Sequence, residues 1–155
     1  EAVLQPSVRP DRYESGTLNT PGIAGLGAGL DFVLKETPEA IHARERELVG
    51  RMMEGLLALE GVRVLGPVPG VERTGIVSFV VEGVDSAEIS FVLDQHFRIA
   101  VRAGYHCTPL AHRTAGTFET GAVRASVGAF TTEDQIGYFL ESVRTVVKAL
   151  RGGGI

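Results

Sequence analysis

This sequence predicts an α+β fold: a small mixed β-sheet with helices covering one face. Three observations lead there. Four segments carry apolar residues at helical spacing or open on helix-start residues, short apolar runs between turn residues mark the strands, and the element order is not a regular strand–helix alternation. The order reads helix, helix, strand, strand, helix, strand, loop, strand, helix. At 155 residues, 44% hydrophobic and 22% charged, the chain has the size and balance of one globular core.

Residues 1–19 hold Pro6, Pro10 and Gly16 without periodicity and predict an irregular lead-in. Thr20-Pro21 is a helix start, with proline placed at the first helical position. The helix that follows carries Gly22, Gly25, Gly27 and Gly29, a glycine-rich face that suits a closely packed neighbour. Thr37-Pro38 starts a second helix by the same logic, running to about Leu59 with Ile41, Leu48, Met52, Leu56 and Leu59 as its apolar stripe. The charges of residues 42–47 form its solvated face. Strands are predicted at Val62 to Leu65, Ile76 to Val81, Ile99 to Ala103 and Ala122 to Val127. Asp85 or Ser86 caps a third helix ending near Phe97. Thr131 or Thr132 begins the last helix, with Ile136, Phe139, Leu140, Val143 and Val147 facing inward. Residues 152–155 read as a flexible tail.

The chemistry concentrates between Arg98 and Ser126. Cys107 is the only cysteine, it follows His106 at the exit of a predicted strand, and Arg102, His112, Arg113 and Arg124 are close in sequence. Positive neighbours favour a nucleophilic thiolate, while a lone cysteine is also a common small core residue. Arg124, among small residues in a strand, is either a carboxylate clamp using its planar fork or a snorkelling edge residue. About eighteen residues from Gly104 to Gly121 show no strand or helix pattern, and long loops of that kind are often functional. A zinc site from His106, Cys107 and His112 fails for want of a fourth ligand and because adjacent residues rarely bind one ion, so no metal is expected. Gly16 and Thr17, in RYESGT, could contact a phosphate.

A net charge of −4 gives no electrostatic case for nucleic acid or an anionic membrane surface. No apolar run is long enough for a bilayer. One cysteine rules out an intrachain disulfide framework and suits a reducing compartment, so a cytoplasmic location is expected.

The blocks RYESGTLNTPGIAGLGAGLDFV, VRAGYHCTPLAH and TGAVRASVGAFTTEDQI, in this order, resemble the C-terminal end of cysteine desulfurases, pyridoxal 5'-phosphate (PLP) enzymes of the class V aminotransferase group. The resemblance covers essentially the whole chain. It implies the C-terminal small domain of a fold-type I PLP-dependent transferase, residues 36–155, preceded by residues 1–35 as the edge of the large PLP-binding domain and the interdomain helix. It also implies that Cys107 is the nucleophile that takes sulfur from L-cysteine as a persulfide, giving L-alanine. Arg124 then binds the substrate α-carboxylate, Arg102 and His106 line the substrate site, and Thr17 with Gly16 contacts the cofactor phosphate. A homodimer and a sulfur-acceptor protein are the implied partners. The family often has Asn-Thr before the final helix where this chain has Thr131-Thr132, and either residue can cap a helix.

PLP chemistry requires a lysine to hold the cofactor, and neither Lys35 nor Lys148 falls in a family motif. The expectation is a C-terminal part of a longer enzyme, inactive alone. The competing expectations are another class V lyase, or a free-standing α+β binding module with an incidental cysteine.

Overall fold

A computed structural model describes residues 3–14 and 16–152; the predicted tail beyond Gly152, and Ser15 of the phosphate-contact motif, lie outside the described residues. Two compact units are present, Glu1–Pro38 and Glu39–Ile155.

Among its described residues, the first unit contains a 3₁₀ turn, Asp11–Tyr13, in an otherwise irregular lead-in, followed by α1, Thr20–Glu36. The cap of α1 is Asn19 rather than Thr20: its side-chain oxygen accepts from the Gly22 N–H at 3.1 Å, and Pro21 sits in the first turn. Ile23, Leu26, Leu30 and Val33 share one face of α1, and the first three are more than half exposed.

The second unit holds α2 (Pro38–Leu57), β1 (Val62–Leu65), β2 (Ile76–Val81), α3 (Ser86–Phe97), α4 (Pro109–Ala115), β3 (Val123–Ser126) and α5 (Glu133–Arg151). The strands form one sheet in the order β1-β2-β3. The α+β class is as expected, but both pairings are antiparallel, so the expected mixture of strand directions is absent among the described strands. The cause lies in the predicted strand at Ile99 to Ala103. That segment is extended but joins the sheet through a single antiparallel bridge, Arg102 with Arg124. β3 lies between it and β2, so two segments running the same way never become neighbours.

One sheet face is apolar and carries the core. Val77, Phe79 and Val81 alternate inward along β2, and Val123 and Ala125 along β3. Against them pack Leu48, Met52 and Leu56 of α2, Ile89 and Leu93 of α3, and Phe139 and Val143 of α5. The predicted stripe of α2 widens to include Val49 and Met53, and that of α5 to include Val146. Leu140 is only partly buried. A Cβ on Gly55 would run into Leu140, so this glycine sets how closely α2 and α5 approach. Asp85 caps α3 through the Ala87 N–H, and Thr132 caps α5 in a reciprocal box with Gln135. Thr131 instead accepts from the Gly128 N–H.

Candidate functional site

The opposite sheet face is polar at its centre. Register pairs Leu65 with Ser78 and Ser78 with Arg124, and the isolated bridge adds Arg102. Paired residues point to the same face, so Leu65, Ser78, Arg124 and Arg102 form one row across the sheet, away from the core.

From Arg98, the left-handed C-cap of α3, the chain runs extended beside β3. Arg102 and Arg124 exchange backbone hydrogen bonds at 3.1 and 2.7 Å. Gly104 then turns with φ +92°, and a Cβ on Gly121 would come within 2.8 Å of the Gly104 Cα, so the two backbones pass too close here for a side chain at Gly121. His106 and Cys107 follow, both in left-handed backbone with φ of 51° and 64°. The turn is closed by Thr108, whose N–H and hydroxyl both donate to the Tyr105 carbonyl at 2.8 Å.

Here the predicted loop contains a helix. Pro109 opens α4 with the same Thr-Pro start as the first two helices, and Gly116 closes it in left-handed backbone. With seven residues and no apolar stripe, α4 gives no periodic signal. It is fastened over the polar sheet face. Arg63 donates to the Ala115 carbonyl, and buried His112 places Nδ1 2.8 Å from Thr117 Oγ1. Tyr105 stacks on Phe118, with ring centres 5.2 Å apart, and donates to its carbonyl at 2.7 Å. His112, expected from the sequence as a neighbour of Cys107 and rejected as a metal ligand, is a buried packing residue. Its burial could not be seen without α4.

The fold brings together four of the predicted residues. Cys107 is exposed, and the Arg102 Nη2 donates to its Sγ at 3.4 Å. His106 lies beneath, with Nε2 3.1 Å from the Arg102 carbonyl. Since a carbonyl only accepts, Nε2 carries the proton of the neutral ring. Burial holds the His106 pKa below its ordinary value; the Arg124, His112 and Arg102 charges push the same way, and the bond to the Arg102 carbonyl opposes them. Arg124 is half-buried, and its Nε is buried without a partner. Neither Arg102 nor Arg124 has a carboxylate partner among the described residues. A cavity of about 250 Å³ between Leu65, Ser78, His106, Thr108 and His112 adjoins this group, and of the four residues only His106 lines it. The group thus presents an accessible thiol together with two guanidinium groups that no carboxylate neutralises among the described residues. Thr17 and Gly16 lie in the first unit, in the turn before α1, and both are exposed. Among the described residues no three His, Cys, Asp or Glu side chains are grouped to hold a metal, and no helix is long and apolar enough to cross a membrane.

The chain that builds this polar sheet face and cysteine turn is a member of the class-V aminotransferase family, whose model matches residues 4–139. Within it, the chain is similar to the probable cysteine desulfurase 2 of Mycobacterium leprae, 38% identical over 134 residues, which make up 86% of this chain and 31% of the relative. The probable cysteine desulfurase of Pseudomonas putida is 37% identical over 142 residues, 92% of this chain and 34% of the relative. Among solved structures, the apo cysteine desulfurase of Thermococcus onnurineus NA1 superposes with a TM-score of 0.79 at 35% identity, over 90% of this chain and 34% of that one. The chain therefore spans about a third of the length of the relatives it matches.

The family is PLP-dependent. Among the described residues no lysine is placed beside the cysteine turn to hold that cofactor. Lys35 and Lys148 are both exposed on their helices, and neither lines the cavity beside His106.

Proposed function

We propose that this chain carries the sulfur-accepting part of a PLP-dependent cysteine desulfurase. One observation carries the reading: the exposed Cys107 thiol, donated to by Arg102, on the same polar face as the unpartnered Arg124. Arg124 binds the α-carboxylate of L-cysteine through its fork. Arg102 orients Cys107 Sγ, and the neutral His106 ring walls the substrate side. The Cys107 thiolate attacks the substrate sulfur. An S–S bond forms as the substrate C–S bond breaks, and the electron pair stays on the carbon, which takes a proton and leaves as L-alanine. PLP, when bound, supplies the electron sink for that carbon.

The cofactor lysine comes from residues outside this chain, and the chain alone is inactive. In this reading residues 1–35 border the cofactor domain and residues 36–155 are the small domain, with Thr17 and Gly16 at the cofactor phosphate. The enzyme works as a cytoplasmic homodimer that passes its persulfide to an acceptor protein. An incidental cysteine in a free-standing module would have no reason to share a face with two unpaired arginines.

The test is to purify the protein from its natural source, add L-cysteine, alkylate, and map persulfide by peptide mass spectrometry. A yellow protein with one extra sulfur on the Cys107 peptide is expected, with Cys107→Ala reducing alanine release at least ~100-fold, as for loss of an essential nucleophile. Undiminished release by Cys107→Ala would overturn the role of this thiol. A borohydride-fixed PLP adduct on Lys35 or Lys148 would overturn the placement of the cofactor.

A further inference from the structure

Only two buried side-chain nitrogens lack a partner among the described residues, and both are arginine Nε atoms. One belongs to Arg124. The other, Arg73, sits in the loop between β1 and β2, on the wall of a different cavity of about 380 Å³. Its Nη2 donates to the Leu65 carbonyl at 3.3 Å and its Nη1 to the Met53 sulfur at 2.7 Å, a weak acceptor. No carboxylate pairs with it among the described residues. Its charge is half-buried and uncompensated, a state that proteins ordinarily relieve with an anion.

The surroundings say which kind of anion. Arg46, exposed and one turn before Gly50 on α2, adds a second cation at the rim. Glu47 is also at the rim but is engaged by Arg51 at 3.2 Å, and its presence disfavours a dianion such as phosphate. The remaining wall is apolar, from Val49, Met53 and Val71. Gly50 leaves the floor open: a Cβ there would meet nothing within 4 Å. The loop that forms the far wall contains Pro67 and Pro69, which limit its freedom before any ligand arrives.

We infer that the cavity between α2 and the β1–β2 loop is a binding site for a small monocarboxylate with a short apolar chain. The carboxylate bridges Arg73 and Arg46, displacing the weak Met53 contact, and the alkyl chain lies against Val49 and Val71. The volume is that of an ordinary small-molecule pocket. The site stands independently of the function proposed for the Cys107 cleft.

Butyrate is the probe. It is titrated into the ¹⁵N-labelled protein at constant ionic strength, with sodium chloride as the control. Saturable amide shifts are expected along residues 46–53 and 69–73. Gly50→Leu fills the cavity floor on a helix that gains from losing a glycine, and it should abolish those shifts while leaving the circular dichroism unchanged. Arg46→Ala, at an exposed position, should weaken binding about fivefold or more, the scale of one lost charge-assisted contact. Arg124→Ala should leave this titration unchanged, which separates it from the other cleft. Shifts reproduced by chloride, retained in Gly50→Leu, or lost in Arg124→Ala would overturn the assignment.

Discussion

Two consecutive non-glycine residues, His106 and Cys107, hold left-handed backbone at the centre of the site. Each such residue costs on the order of 1–3 kcal/mol, and such strain collects where a side chain must be presented in a particular direction. Here it turns the thiol outward and the imidazole under Arg102. The pH behaviour of His106 follows from its surroundings. Its folded pKa lies below the ordinary 6.5, mainly through burial. The unfolded chain therefore binds more protons near and below that pH. This group's contribution to stability falls as pH drops through 6.5 and levels out below the folded pKa. An NMR titration of the His106 ring should give a midpoint below 6.5. Arg124→Ala should move that midpoint up only part of the way, because burial remains when one charge is removed. A midpoint at or above 6.5 in the unaltered protein would contradict this account.

Elements with their own punctuation were legible one by one. Thr37-Pro38, Asp85 and Thr132 announce helices that the structure contains, and the runs at 62–65, 76–81 and 122–127 became strands within a residue or so. The capping box of α5 is local enough to test alone. Thr132→Ala should cost about 1 kcal/mol, read as a lower urea midpoint at an unchanged slope. Two elements were misread for opposite reasons. The segment Ile99 to Ala103 has strand composition but finds only one ladder partner residue, Arg124, before Gly104 turns it away. Helix α4 has a start and a stop but no stripe, because it covers a polar sheet face with a single buried side chain, His112.

At the scale of the molecule, the core of the second unit closes around the C-terminal half of α2, with Leu56 fully buried near its end. Leu56→Ala should destabilise by about 2–5 kcal/mol in chemical denaturation, the range for a cavity left in a tightly packed core. A loss under about 0.5 kcal/mol, the surface range, would mean that this core is not the one that holds the sheet. The apolar face of α1 contrasts with it, since Ile23, Leu26 and Leu30 remain exposed. The sequence by itself determined the α+β class, the starts of α1, α2, α3 and α5 and the grouping of Cys107, His106 and Arg102, because caps, periodicity and short spacing are local properties. Only the tertiary structure decided that Arg124 shares their face, that Arg73 is stranded in a second cavity, and that all described strand pairs are antiparallel. Each of those depends on register and on the burial of single atoms, which arise when distant segments meet.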